Sequence, residues 1–221
     1  MSNNDTQKEQ IAGLYHRVAS AYGHVGPSIF AYAGRHLVER IGMAEGTQVL
    51  DVGAGRGANL FPAAETIGPR GQVIGVDLAP GMVRETTAEI QRRKLPYVSV
   101  LQMDAEHLTF PDASFDAVLC GFAIFLFPHL EQALAEFFRV LRPGGKVGIT
   151  VAQDLDALSH WYGERITDYH ARSQFALYAG GGKGSNYAEL PLCNKRWRRA
   201  HEYNQGELSW QQDYLEWSPV L

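Results

Sequence analysis

The sequence has no excess of basic residues, no long apolar run and few cysteines. Its 221 residues include 20 lysines and arginines against 24 aspartates and glutamates, which gives a formal net charge of −4. Nucleic-acid-binding domains usually carry a large basic excess, so we expect no nucleic-acid partner. No apolar run approaches the roughly 20 residues that span a bilayer, so we expect no membrane anchor. The polar N-terminal segment MSNNDTQKEQ also lacks the apolar core of a secretory signal.

The two cysteines, Cys120 and Cys193, are too few for a disulfide framework. Together with the histidines they show no metal-ligand spacing, so we expect no metal site. Because a reducing compartment is the simplest home for such a chain, we expect a cytoplasmic protein. Hydrophobic residues make up 45% of the chain and charged residues 20%, which is ordinary for a globular protein. We therefore expect a single domain over residues 1–221.

The middle of the chain alternates short apolar runs with helical stretches. Apolar runs predict strands, and apolar residues three and four apart predict helices. The order of these elements predicts βαβ units, and hence an α/β fold with a doubly wound, mostly parallel sheet. The predicted strands cover residues 47–52, 73–77, 98–103, 115–120 and 146–152, and the predicted helices cover residues 60–67, 82–94 and 130–141.

Both flanks of this core differ from it. Residues 11–41 have a helical pattern that is broken by Gly26-Pro27-Ser28, whereas we expect the polar residues 1–10 to be frayed. After the core, which covers residues 47–152, helical spacing returns within residues 153–180. Residues 181–221 form an atypical tail without strand-like alternation.

A glycine-rich loop follows the first predicted strand and opens a helix. It reads Asp51-Val52-Gly53-Ala54-Gly55-Arg56-Gly57, and Asp77 ends the next strand. Glycines at this point of a doubly wound sheet let a nucleotide-type ligand approach the backbone, and an acid on the next strand can accept ribose hydroxyls. The pattern also satisfies a dinucleotide fingerprint. A carboxylate beside the loop, Asp51, favours a ligand with a positive end over a pyrophosphate.

Four segments follow one another along the chain: VLDVGAGRG, VIGVD, QMDAEHLTFPDASFDAVLCGF and VLRPGGKVGI. In this order they resemble the class I S-adenosylmethionine-dependent methyltransferases, and among them the ubiquinone/menaquinone-biosynthesis type. The resemblance covers residues 11–152. It implies a Rossmann-like fold, an N-terminal helical lid, a helical cap over residues 153–180, S-adenosyl-L-methionine as cofactor and S-adenosyl-L-homocysteine as product.

The resemblance also implies a set of cofactor-binding residues and the part of the cofactor that each of them contacts. For Met82 ordinary core packing is the competing interpretation, and for Asp77 and Asp104 it is capping of a turn or a short helix. The implied residues are Gly53, Ala54, Gly55 and Gly57 at the methionine part with Asp51 near its ammonium group, Asp77 at the ribose, Leu78 and Met82 at the adenosine, Asp104 and Ala105 at the adenine amino group, and Cys120, Gly121 and Phe122 on the reactive side.

The end of the fourth strand bears on the methyl acceptor. Methyltransferases of nucleic-acid amines have Asn/Asp-Pro-Pro-aromatic here, whereas this chain has Cys120-Gly121-Phe122-Ala123. Aromatic side chains nearby suggest an apolar wall, so we expect a small hydrophobic or aromatic acceptor such as a quinone precursor or a secondary metabolite. Positioning and exclusion of water can drive an in-line methyl transfer, and no catalytic residue is assigned. The candidate substrate contacts are Tyr15, Tyr22, Phe125 and Trp161.

Two alternative functions and an assembly hypothesis stay open at this point. A nicotinamide-dependent oxidoreductase would share the glycine loop, although no Tyr-x-x-x-Lys pattern is evident. A degenerate, non-catalytic protein that binds the cofactor would explain the atypical tail. That tail shows no sixth or seventh strand, so the fifth strand would be an exposed edge, and we expect a homodimer through the C-terminal region.

Overall fold

The computed structural model describes residues 3–22, 29–152 and 175–180. Within them, helices and strands alternate as the sequence predicts. In chain order they are α1 (Asn3–Val18), α2 (Ile29–Ile41), β1 (Gln48–Val52), α3 (Leu60–Ile67), β2 (Gln72–Asp77), α4 (Pro80–Arg93), β3 (Val98–Gln102), β4 (Phe115–Gly121), a short 3₁₀ helix (Ile124–Leu126), α5 (Leu130–Val140), β5 (Leu141–Ala152) and β6 (Phe175–Gly180).

The strands form one six-stranded parallel sheet in the order β3-β2-β1-β4-β5-β6. Because β1 pairs with β2 on one side and with β4 on the other, the chain reverses its direction of winding beside β1. In open parallel sheets a crevice forms at this point, outside the carboxyl ends of the strands, and ligands bind there. The fold therefore places the glycine loop after β1 at the sheet's natural binding site.

Two hydrophobic clusters cover the two faces of the sheet. Alternate residues of each strand point to opposite faces, so neighbours such as Val49 and Leu50 enter different clusters. One cluster joins Val49 and Leu119 to residues of α2, α3 and α4. The other joins Leu50 and Val118 to α5, chiefly through Phe137. This burial on both faces explains the nearly continuous apolar runs of the strands.

The five strands predicted from the apolar runs are confirmed, with one difference of detail. The predicted turn at Arg142-Pro143-Gly144-Gly145 lies within β5, which begins at Leu141. The pairing register with β4 shifts there, from Phe115 opposite Leu141 to Ala117 opposite Lys146. The four residues thus form an irregularity in the strand. At Gly144 the backbone has a positive φ of 81°, which glycine adopts without steric cost.

Two expectations about the flanks are wrong. Residues 1–10 are not frayed throughout, because α1 begins at Asn3 and Lys8 is held by an acidic pair described below. Residues 175–180, the last part of the segment expected to be a helical cap, instead form a strand that pairs with β5 from Val147 to Ala152. The aromatic and aliphatic residues of this segment suit a strand, and the unpaired edge of β5 gives it a partner.

The pairing of β6 also changes the basis of the dimer hypothesis. β5 is covered, so it is not the open edge on which that expectation depended. The rest of the expected cap, residues 153–174, and the tail at residues 181–221 lie outside the described residues. Dimerisation through the tail stays a prediction. Within the described part of the chain, no helix has the length and apolarity that crossing a bilayer requires.

Candidate functional site

A cavity lies where β1, β2, β3 and β4 end, under helix α1. Each strand contributes a residue at or just after its carboxyl end, and α1 contributes one side of the wall. Most of the residues that the resemblance implies therefore meet around one space. The walls include Lys8, Ile11, Ala12, Tyr15, Tyr22, Val52, Gly53, Gly55, Val76, Asp77, Leu78, Ala79, Met82, Met103, Asp104, Ala105, Glu106, Gly121, Phe122, Ala123, Leu126, Phe127 and Pro128.

Asp77 organises the glycine loop from the end of β2. Its Oδ2 accepts a hydrogen bond from the N–H of Gly55 at 2.8 Å, and its Oδ1 accepts one from the N–H of Ala79 at 2.9 Å. Burial raises the pKa of this carboxyl despite those two bonds. The capping interpretation is thus correct, yet it does not exclude a ligand. A carboxylate has about four lone-pair sites, so it retains acceptors for hydroxyl groups in the cavity.

The loop is also anchored from the helices around it. Thr86 of α4 donates its hydroxyl to the carbonyl of Gly55 at 2.7 Å. Arg56 donates from Nη1 to the carbonyl of Ala19, just after α1, at 2.5 Å. Bonds of this kind fix the loop backbone before any ligand arrives, which lowers the entropy cost of binding.

The glycine loop and the turn after β4 interlock. Gly53 has a φ of 68°, and a Cβ there would overlap the methyl group of Ala123. On the other side of the contact Phe122 has a φ of 52°, which is uncommon for a residue with a bulky side chain. Strained backbone of this kind clusters at functional sites, where the surrounding structure holds it in place.

Asp51 is fully buried at the end of β1. Its Oδ1 accepts a hydrogen bond from Nδ2 of Asn59 at 3.0 Å, whereas its Oδ2 has no hydrogen-bond partner. Burial, reinforced by the charge of Asp77, raises the pKa of Asp51 to about 7 although Asn59 and the backbone of Leu60 favour its ionised form. An unpaired buried carboxylate oxygen is costly, so a cationic group close to it would be stabilising.

An acidic pair lies at the end of β3. Asp104 accepts the N–H of Glu106 on Oδ1 at 3.0 Å, which confirms the expected local turn, and Oδ2 accepts Lys8 Nζ at 2.7 Å. Glu106 is only 1% exposed and pairs with Lys8 Nζ at 2.5 Å. Its carboxylate also meets the N–H and Nδ1 of His129 at 2.9 and 2.7 Å. The two carboxylates thus bind α1 to the β3 end of the cavity.

Four aromatic rings form a continuous chain above the turn after β4. Tyr15 and Tyr22 meet edge to face at 5.7 Å, Tyr22 stacks on Phe30 at 5.7 Å, and Phe30 meets Phe122 edge to face at 5.3 Å. Burial raises the pKa of Tyr15 and raises that of Tyr22 to about 12. Both phenols therefore stay protonated near neutral pH, which suits a wall or a hydrogen-bond donor better than a general base.

Several of the expected residues lie behind the cavity rather than in its wall. Cys120 is fully buried and points with Val118 into the cluster under α5, so only Gly121 and Phe122 of that turn reach the cavity. Phe125 packs partly buried on the same cluster. Trp161 lies outside the described residues.

Met82 satisfies both interpretations, since it belongs to a small buried cluster and also lines the cavity. Asp51, Ala54 and Gly57 are buried and are not among the residues that line the cavity.

Other site residues were not expected from the sequence. Asn59 follows the glycine loop but reads as an ordinary N-cap, and Lys8 lies in a segment expected to be frayed. Phe30 carries no motif at all. The acidic Glu106 next to Asp104 was a detectable signal, because a buried acid requires a partner. Among the described residues, no group of three or more His, Cys, Asp or Glu side chains is arranged to hold a metal ion.

Comparisons with known proteins agree on one kind of domain. A methyltransferase-domain family matches residues 50–149. The chain is 41% identical over 148 residues to the nocamycin O-methyltransferase of Saccharothrix syringae, covering 67% of this chain and 53% of that protein. It is 39% identical over 147 residues to the aklanonic acid methyltransferase DauC of Streptomyces sp. (strain C5), covering 66% and 67%. It is 30% identical over 148 residues to the demethylmenaquinone methyltransferase of Listeria welshimeri, covering 65% and 62%. The match thus spans about half to two-thirds of the length of these relatives.

Solved structures with a similar fold carry more than one function. One is the putative methyltransferase complexed with the Haloferax volcanii Trm112 methyltransferase activator, with a TM-score of 0.52, 26% identity, and coverage of 74% of this chain and 67% of that one. Another is the [4+2]-cyclase SpnF, with a TM-score of 0.50, 28% identity, and coverage of 54% and 43%. A shared fold alone therefore does not fix the reaction.

Proposed function

The chain belongs to the class I S-adenosylmethionine-dependent methyltransferases, and we propose that it transfers a methyl group from S-adenosylmethionine to a small apolar or aromatic acceptor. The observation that carries the proposal is the cavity at the switch point of the sheet, where Gly53, Asp77 and Asp104 meet. The relatives whose names specify an activity are methyltransferases of small molecules, which supports the same class of reaction.

The residues around the cavity fit this cofactor. Asp77 offers acceptors for the ribose hydroxyls, and Gly53 and Gly55 bring the loop backbone to the wall of the cavity. Asp51, which the resemblance implies near the α-ammonium group, has a buried oxygen without a partner. Asp104 and Ala105 would hold the adenine end. A pyrophosphate would instead bring negative charge toward Asp51 and Asp77, which disfavours the nicotinamide dinucleotide alternative.

The cofactor supplies a methyl group activated on a sulfonium, so the protein need not provide a nucleophile of its own. The chain's residues bind, orient and exclude water. Phe122 and Phe127 give the reactive end an apolar wall, and the raised pKa of Tyr22 keeps its phenol neutral there. Positioning and water exclusion can supply several kcal/mol of the barrier reduction, roughly 7–11 in ideal intramolecular cases.

The acceptor is proposed to be a small molecule rather than nucleic acid. The turn after β4 lacks the Asn/Asp-Pro-Pro-aromatic sequence, and the net charge of −4 would oppose a phosphate backbone. The named relatives point to oxygen acceptors and quinones. A cytoplasmic location is part of the same proposal, because the reaction requires neither a membrane nor disulfides.

Calorimetric titration tests the cofactor directly. The purified chain is titrated with S-adenosylhomocysteine and, as the control, with NAD(H). Saturable binding of S-adenosylhomocysteine alone is expected, and binding of NAD(H) alone would overturn the proposal.

Methyl transfer is then assayed with radiolabelled S-adenosylmethionine and a panel of phenolic, carboxylic and quinone acceptors. Transfer to at least one acceptor is expected. If the chain binds S-adenosylhomocysteine but methylates no member of the panel, the non-catalytic alternative is favoured over the transferase.

A further inference from the structure

Asn59 occupies the N-cap position of α3 but does not cap the helix. Asn is a favoured N-cap because its side chain accepts a backbone N–H of the first turn. Here Asn59 has αR backbone angles and makes no such bond. Its Nδ2 instead donates to Oδ1 of Asp51 at 3.0 Å, between two side chains that are 4% and 0% exposed. The amide therefore serves Asp51 rather than the helix.

Two glycines clamp the amide of Asn59. A Cβ at Gly121, at the end of β4, would lie 2.5 Å from Nδ2. A Cβ at Gly34, in α2, would first meet the carbonyl oxygen of Ala58 at 2.2 Å and would also lie 2.9 Å from Oδ1 of Asn59. Neither glycine has a positive φ, so backbone conformation does not require them. Glycine inside a helix costs roughly 1 kcal/mol relative to alanine. The close approach of α2 to the backbone of Ala58 and to the amide of Asn59 is thus the physical reason for Gly34, and the amide is packed closely between the two glycines.

A clamped donor fixes the direction of the carboxylate that it binds. With Oδ1 of Asp51 held by Asn59, the unpartnered Oδ2 has one orientation only. Asp51 is not itself in the cavity wall, but the next two residues along the chain, Val52 and Gly53, line the cavity. The charged and titratable neighbours are Asp77 from β2 and Cys120 from β4, and neither supplies a cation.

We propose that Asn59 is a positioning residue that holds the carboxylate of Asp51 in the orientation in which its Oδ2 receives the α-ammonium group of the cofactor. This inference rests on the proposed function. It assigns Asn59 a role in ligand discrimination, because the amide acts only on the part of the ligand that carries the positive charge. The rest of the ligand, at Asp77 and Asp104, is outside its reach.

The test compares two ligands that differ in one group. S-adenosylhomocysteine and its desamino analogue, in which hydrogen replaces the α-amino group, are titrated calorimetrically into the wild-type protein, Asn59→Ala and the control Gln91→Ala. Gln91 is an exposed amide on α4. Asn59→Ala is expected to weaken the binding of S-adenosylhomocysteine about tenfold, which is the value of a hydrogen bond to a charged group. The affinity for the desamino analogue is expected to stay unchanged. Gln91→Ala is expected to bind both ligands like the wild type.

Three outcomes overturn the inference. Asn59→Ala without effect on either ligand would remove the role, and an equal loss for both ligands would show that Asn59 is merely structural. The third outcome concerns Asp51→Asn, a variant that can also be used if Asn59→Ala does not fold. Asp51→Asn is expected to bind S-adenosylhomocysteine and the desamino analogue with similar affinity. A retained preference for S-adenosylhomocysteine would contradict the role of Asp51. A wild-type protein that binds neither ligand would instead refute the proposed function.

Discussion

Lys8 and Asp104 form an ion pair although they are 96 positions apart in the sequence, with Nζ 2.7 Å from Oδ2. The same Nζ pairs with Glu106, and the Lys8 side chain is 14% exposed. Burial alone would lower the pKa of the Lys8 ammonium, but its hydrogen bonds to Asp104 and Glu106 outweigh that effect and the pKa is raised. Lys8 therefore stays charged and holds the first half of α1 over the cavity.

Lys8→Met is expected to loosen α1 and to weaken the binding of S-adenosylhomocysteine by about 1–2 kcal/mol, roughly five- to thirtyfold, since the variant removes the ammonium group that pairs with both Asp104 and Glu106. Titrations at several salt concentrations measure the effect, and the salt dependence of binding should be smaller in the variant. Arg17→Met, an exposed position on the same helix, is the control. Tighter binding by Lys8→Met would show instead that Lys8 and the ligand compete for Asp104.

Gly53→Ala is expected to destabilise the protein more than a glycine change elsewhere with a similar backbone. Both Gly53 and Gly144 have positive φ, at 68° and 81°, but only Gly53 has a neighbour, Ala123, in the way of a Cβ. Gly144→Ala should cost about 1–2 kcal/mol for conformation alone. Gly53→Ala should add about 1–3 kcal/mol for the overlap.

Urea unfolding measures both free energies, and the difference between them isolates the packing of the loop on the β4 turn. Equal losses for the two variants would contradict the interlock of Gly53 with Ala123.

Asp77→Ala is expected to weaken the binding of S-adenosylhomocysteine by roughly 1.5–3 kcal/mol, about 10- to 150-fold, if the ionised Asp77 accepts hydrogen bonds from the ribose hydroxyls. It should also lower the free energy of unfolding, because the N–H groups of Gly55 and Ala79 lose their acceptor. Calorimetry and urea unfolding separate the two effects. Asp112→Ala, which removes an exposed ion pair with Arg139, should change neither quantity much. Unchanged affinity in Asp77→Ala would argue against the ribose assignment.

The contribution of Asp51 to the stability of the protein without ligand is expected to fall as the pH rises from about 4 to 7. Burial raises the pKa of Asp51 from 3.8 in the unfolded chain to about 7 in the folded protein, so the folded state binds more protons than the unfolded state within this window. The free energy of unfolding then falls by at most about 1.4 kcal/mol per pH unit, and this contribution is constant above pH 7.

Asp51→Asn has no charge at this position and should remove that part of the slope. Urea unfolding of both proteins at pH 5 and pH 7.5 measures it. Parallel pH profiles for the wild type and Asp51→Asn would mean that Asp51 is ionised throughout the window.

The sequence indicated the strands and the glycine loop because their signals are local. A buried parallel strand needs consecutive apolar residues, as in the run around Leu50, and a loop that approaches a ligand needs glycine, as at Gly53. Asp77 and Asp104 follow from the same rule, since the end of each strand is visible in the sequence and parallel strands end at one edge.

The strand at residues 175–180 was missed because an edge strand depends on its partner, β5, more than on its own pattern. The resemblance implied Cys120 at the cavity together with Gly121 and Phe122, but the alternation of β4 turns its side chain into the core. One residue along a strand is enough to exchange the two faces of a sheet.

By itself, then, the sequence determined which segments are strands, where the chain turns and which acids end the strands, because each depends on residues within a few positions of one another. Only the tertiary structure decided that Lys8 closes on Asp104, that Phe30 joins Phe122 and that Asn59 serves Asp51 rather than its own helix. Such pairings depend on the packing of α1, α2 and α3 against the sheet. Packing sums many weak contacts across the chain, and no single stretch of sequence records that sum.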